Sequence, residues 1–151
     1  MRERLTEAMK AAMKAGEKRR LATVRMIQAA LKDKDIEARG KGVTTGIEEG
    51  EILAMLQGMV KQRQESIAMY EQGGRLELAQ AEKDEVAVIT SYLPQQMDEA
   101  ETRAAIQAAI AETGAASMKD MGKVIGQLRS RYAGQMDFAR ASGLVKARLA
   151  G

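Results

Sequence analysis

The sequence has no cysteine, no histidine and no tryptophan, and a single proline in 151 residues. Each absence removes a class of chemistry. Without cysteine there is no disulfide, no thiolate nucleophile and no thiolate metal site. Without histidine there is no Ser-His-Asp triad and no imidazole base or ligand. Aromatic residues make up 3% of the chain, too few for the stacking platforms of single-strand binders. No apolar run approaches the roughly 20 residues of a membrane span. The charged start Met-Arg-Glu-Arg-Leu lacks the apolar core of a signal peptide. The chain is therefore expected to stay in the cytoplasm, in keeping with the want of cysteine.

What is present describes a globular, helical chain. Hydrophobic residues are 45% and charged residues 30%, and eleven methionines replace the aromatic filling of a sheet core. The net charge of +3 is uneven: residues 1–39 and 94–151 are net basic and 40–93 are net acidic. Two basic ends make an anionic partner a natural expectation.

Apolar residues recur at helical spacing throughout. Leu5, Met9 and Met13 mark a first helix over 2–15, stopped at Gly16. Leu21, Val24, Gln28 and Leu31, with Ile27 beside them, mark a second over 17–38. Thr45 and Glu48 have capping-box spacing and predict a third helix from there to Gln72, before Gly73-Gly74. A fourth covers 76–92 and ends before Pro94. Two further box signatures, Asp98 with Glu101 and Ser117 with Asp120, open helices over 99–113 and 118–132. A last helix covers 137–149, with Phe138, Ala141, Val145 and Leu149 on one side. The expected fold is all-α: a four-helix N-terminal domain (1–93) and a small three-helix C-terminal domain (94–151).

Three constellations could carry function. On the third helix Arg63 interrupts the stripe Ile52, Leu56, Met59, Ile67 and Tyr70. On the fourth, Glu82 and Glu85 interrupt Leu78, Val86, Ile89 and Tyr92. A charge on an apolar face needs a partner, so a structural Arg63–Glu82/Glu85 ion pair is expected. A polar substrate pocket is the other reading. The helix after Ser117 buries Met121, Val124, Ile125 and Leu128. Its opposite side carries Lys119, Gly122, Lys123, Gly126, Arg129 and Ser130. Glycines beside lysines either let another helix pack closely or form a shallow basic groove for a phosphate backbone, with a helix N-terminus at its end. The run Lys18-Arg19-Arg20, with Arg25, is either a solvated helix start or a second phosphate-contacting patch. There is no GxxxxGKS/T loop and no GxGxxG fingerprint. No cofactor, metal or catalytic residue is expected.

The stretch Glu112-Thr-Gly-Ala-Ala-Ser-Met-Lys-Asp-Met-Gly-Lys-Val-Ile-Gly126 resembles the most distinctive motif of the GatB/YqeY family. Lys61-Gln-Arg-Gln-Glu-Ser-Ile67, Gly74-Arg75 and Ser91-Tyr-Leu-Pro94 match others in the family's order. The resemblance covers almost the whole chain, like that of a free-standing YqeY-like protein. It implies an all-helical, two-domain fold related to the C-terminal region of the GatB subunit of aminoacyl-tRNA amidotransferase. In that enzyme the helical and tail domains engage tRNA and the catalytic parts lie elsewhere. The matching motif positions are Lys119, Asp120, Gly122, Lys123 and Gly126. Gly134-Gln-Met-Asp137 departs from the family's Gly-Arg-Ala-Asp.

Three functions follow as expectations. The first is an accessory protein that binds tRNA through Lys119, Lys123, Arg129, Gly122, Gly126, Lys18 and Arg19. The second is a helical adaptor between proteins, using Met-rich faces. The third, disfavoured for the isolated chain, is a component of a carbon–nitrogen ligase with glutamine as amido-N-donor.

Overall fold

The computed structural model describes residues Met1–Gly151. Helical apolar spacing, broken by glycines and one proline, gives seven α-helices, one turn of 3-10 helix and no strand. The all-α class read from the periodicity is the one observed. No helix is long and apolar enough to cross a membrane. The chain divides into two compact units, Met1–Leu93 and Pro94–Gly151.

The first unit holds α1 (Arg2–Ala15), α2 (Lys18–Gly40), α3 (Glu49–Gln72) and α4 (Leu76–Thr90). At the end of α1, Gly16 turns left-handed at φ 71°, a conformation a side chain disfavours. The N–H groups of Gly16 and Glu17 return to the carbonyls of Met13 and Ala12, which satisfies the last turn. The core joins Leu5 of α1 to Val24, Ile27 and Leu31 of α2, Ile52 and Leu56 of α3, and Ile89 of α4. Met9, Met55 and Met59 pack against it, flexible side chains filling the gaps that aromatics leave open.

A polar clasp closes this unit. Arg2 donates to both carboxylate oxygens of Asp35, at 2.7 and 2.9 Å, and to the Ile47 carbonyl at 3.1 Å. The Ile47 N–H donates to Asp35 Oδ1 at 2.9 Å. The Arg2 hydrogen bonds, then that of Ile47, pull the Asp35 carboxyl down to about 2. Gly46 takes φ 87° where the loop passes, and a Cβ there would lie 2.6 Å from Arg2 Nη2.

This clasp overturns the expected start of α3. Asp35 and the buried Ile47 hold the loop extended, so the helix begins at Glu49 and not at Thr45. Glu48 is the N-cap and makes no side-chain cap. Three other positions differ. Met13 is 53% exposed, because Ala12 occupies the buried place on α1. Leu78 is exposed and Ala79 buried in its stead. α4 stops at Thr90, and Tyr92 enters the core from beyond the helix.

The second unit holds α5 (Glu99–Thr113), a 3-10 turn (Met118–Asp120), α6 (Met121–Tyr132) and α7 (Phe138–Ala150). Asp98 and Glu101 form a reciprocal capping box at the start of α5. Asp137 caps α7, accepting from the N–H groups of Ala139 and Arg140. The core is Ile106, Val124, Leu128, Met136 and Val145, with Ala105, Ala109 and Ala141 between them. The alanines allow short helices to approach closely, so three of them enclose a core without a fully buried aromatic ring. The Met97 N–H donates to the Gln135 carbonyl at 2.9 Å, tying the segment that enters the unit to the turn before α7.

Candidate nucleic-acid interface

The entry to α6 is built by Asp120. Its carboxylate accepts from the N–H groups of Ala116 at 3.0 Å and Ser117 at 3.3 Å. These bonds hold Asp120 below the ordinary carboxylate range, with Lys123 a lesser contributor. Donors that an incoming anion would use are thereby turned onto the chain's own carboxylate. Asp120 accepts from Ser117, as the box spacing predicts, so a carboxylate of the chain itself stands at the helix start that the sequence offers to an anion.

Beyond that turn, Val124 and Leu128 are fully buried, and Met121 and Ile125 pack beside them. Lys119, Gly122, Lys123, Gly126, Arg129 and Ser130 are all exposed. A Cβ built at Gly122 or Gly126 would meet no atom within 4 Å. Within this unit, no other helix packs against the two glycines. What they leave is an open strip of bare helix backbone between lysines.

Charge in this unit is distributed unequally. Every acidic side chain has work within the fold. Asp98, Glu101, Asp120 and Asp137 satisfy helix starts. Glu99 accepts from Arg103 at 2.9 Å and Arg140 at 2.6 Å, and these two guanidiniums, Arg103 foremost, depress its pKa. Glu112 pairs with Arg131 at 2.8 Å and accepts from Gln127. Lys119, Lys123, Lys146 and Arg148 are left exposed without an ion pair. Arg129 lies over the Phe138 ring, 5.5 Å from its centroid, a stacking that keeps its charge outward. The legible part of this pattern was the cap spacing; the excess becomes visible once the carboxylates are assigned to caps.

The other sequence-predicted basic patch lies in the first unit. Lys18, Arg19 and Arg20 are exposed at the start of α2. Arg19 stands 3.4 Å from Asp84 and Arg20 4.0 Å from Glu17. Such solvated pairs contribute little to stability, and Arg19 remains 89% exposed. Arg25 rests against the Met13 sulfur.

Arg63, Glu82 and Glu85 come together between α3 and α4. Arg63 Nε donates to Glu85 at 2.8 Å and lies 3.9 Å from Glu82. The guanidinium also donates to the Met59 carbonyl and contacts the Met26 sulfur. Burial, then the neighbouring Glu85, pushes the Glu82 carboxyl up. The guanidinium is filled by protein partners on several sides, which makes this a joint between helices.

The fold so described is that of a small all-α protein in two units with one strongly basic, open helix face. The model of the Yqey-like protein family matches residues 2–149, and the chain belongs to that family. Over 91 residues it is 30% identical to "Altered inheritance of mitochondria protein 41, mitochondrial" of Lachancea thermotolerans. The match covers 60% of this chain and 46% of that relative.

Proposed function

We infer that this YqeY-like chain is an accessory protein that binds tRNA through basic helical surfaces. The observation that supports the reading is the open face of α6. Lys119 and Lys123 flank bare backbone at Gly122 and Gly126, in a unit whose carboxylates are each bound to a helix start or an arginine. A phosphate backbone matches that face in charge and needs no side-chain pocket. Arg129, and Lys18 and Arg19 in the other unit, supply further contacts. Recognition rests on backbone and shape more than base sequence, and any amidotransferase role is as a partner in a carbon–nitrogen ligase complex. The place of action is the cytoplasm; the mitochondrial name of the relative makes the organelle the alternative.

A gel-shift titration with tRNA across a salt series tests the reading. Neutralised phosphates each contribute about 0.7–0.9 to the slope of log affinity against log salt. Lys119→Ala with Lys123→Ala weakens binding and flattens that slope by about 1–2. Absence of binding to any tRNA at low salt by the intact protein sinks it.

One observation favours the protein adaptor as a second reading. Met69 (72% exposed), Leu76 (67%) and Leu78 sit on either side of the α3–α4 turn. Recovery of proteins on the immobilised chain after nuclease treatment, with no RNA recovered before it, would favour the adaptor.

A further inference from the structure

The Pro94–Gly151 unit has a second feature, made by α5 and α7 alone. An open cleft of about 470 Å³ runs between them. Ala104, Leu144 and Ala147 wall it, and Arg103, Gln107 and Arg148 stand around it. The size is that of a small-ligand site, for which roughly 300–1,000 Å³ is usual. Ala100 and Ala104 on α5 and Ala147 on α7 leave the floor of the cleft open.

The charge around the cleft is unbalanced. Glu99 is shared between Arg103 and Arg140, at 2.9 and 2.6 Å. One carboxylate thus faces two guanidiniums, and Arg148 has no acidic partner. The occupant that complements this site has an apolar body and a negative charge. A nucleotide has both. Its base presents flat apolar faces and a polar edge, and its phosphate an anion. A guanidinium plane can stack a base where no aromatic ring is at hand, and the Gln107 amide offers both a donor and an acceptor to the edge. A helical peptide would want a series of pockets for successive anchors, and this is a single cleft.

We propose that the α5–α7 cleft receives one unpaired nucleotide of a bound RNA, its base between Ala104 and Ala147 and its phosphate at Arg148. The proposal rests on the RNA-binding reading above and adds to it a site that distinguishes loops from duplex. Paired bases stay stacked within a helix, so only an unpaired nucleotide can enter.

The full-length protein is titrated with two RNAs of equal length, a hairpin with an unpaired loop and a blunt duplex, at one salt concentration. The wild type binds the hairpin about tenfold more tightly, about 1.4 kcal/mol. Ala104→Leu fills the cleft from an exposed helix position where leucine is well tolerated. It removes the tenfold margin and leaves duplex affinity unchanged. In amide NMR of the wild type, AMP shifts the Ala104 and Ala147 signals, whereas ribose 5-phosphate, which lacks the base, leaves Ala104 in place. Equal affinity of the wild type for both RNAs, or a margin that survives Ala104→Leu, overturns the cleft and leaves RNA binding by α6 standing. Binding of neither RNA overturns both. Shifts at Ala104 with an acidic helical peptide but not with AMP replace the nucleotide with a protein partner, and the proposal fails.

Discussion

Arg63 donates through Nε to Glu85 at 2.8 Å, while Glu82, one turn earlier on α4, stands 3.9 Å from the same nitrogen. The two carboxylates are unequal. Glu85 takes the hydrogen bond from Arg63; Glu82 is desolvated, feels Glu85 as a like charge and, when protonated, hydrogen-bonds to it. Glu85→Gln is expected to destabilise the fold by about 1–2 kcal/mol, the scale of a charge-assisted hydrogen bond at a half-buried site. Glu82→Gln behaves oppositely. A carboxyl whose folded pKa is raised favours the fold while protonated, and that contribution is lost as pH rises through the folded value. Glu82→Gln therefore matches the wild type near pH 4 and exceeds it in stability at pH 7. Urea midpoints of both variants at the two pH values check the pair, and a loss at pH 7 for Glu82→Gln as large as that for Glu85→Gln would refute the asymmetry.

The Arg2–Asp35 clasp carries the reverse pH dependence. Asp35 is depressed to about 2 by Arg2 and the Ile47 N–H. Stability from this group is fully present above the unfolded carboxyl range and is lost as pH falls through about 2. Asp35→Asn lowers the urea midpoint at pH 7, and its difference from wild type closes as pH falls from 4 towards 2. A gap that stays constant over that range would remove the charge from the explanation and leave only the hydrogen bonds.

The contrast between these two ion-pair sites explains what could be seen in the sequence. Arg63, Glu82 and Glu85 each interrupt an apolar stripe, so the cost of a lone desolvated charge marks them without any structure. Arg2 and Asp35 are 33 residues apart and lie among other ordinary surface charges; nothing local distinguishes them. The same hidden contact misplaced the start of α3, since Thr45 and Glu48 have the right spacing for a box that the clasp prevents. The ends of α1, α3 and α5 fall at Gly16, Gly73-Gly74 and Gly114, where backbone chemistry acts within a few residues. On α2, which is charged on most sides, the inward line was read at Gln28, and the fully buried residue is Ile27. At α6 the glycine face was visible in the sequence, and only packing could tell an open strip from a helix contact.

Tyr92 makes a different test of the first core. Its ring is buried and lies under Arg4, 5.3 Å from guanidinium carbon to centroid, and its hydroxyl has no hydrogen-bond partner. A buried hydroxyl without a partner costs desolvation and returns nothing. Tyr92→Phe is expected to fall within about 0.5 kcal/mol of wild type or above it, while Tyr92→Ala loses about 3–5 kcal/mol by opening a cavity. Thermal unfolding of the two variants reads both. A clear loss in Tyr92→Phe would mean that the hydroxyl is bonded in solution.

Gly126 lies within α6, is exposed, and has open space where a side chain would stand. Stability alone disfavours glycine there, since alanine lowers the entropy of the unfolded chain and improves helix propensity. Gly126→Ala is expected to gain about 0.5–1 kcal/mol. If the bare backbone admits a phosphate strand, a larger side chain at the same place keeps the fold and obstructs the ligand. Gly126→Leu should therefore unfold no lower than wild type yet bind tRNA several-fold more weakly at fixed salt. Thermal unfolding and the gel-shift titration, run on the same preparations, separate the two effects. Unchanged tRNA affinity in Gly126→Leu would place the phosphate contacts off this strip and leave its glycines without a role in binding.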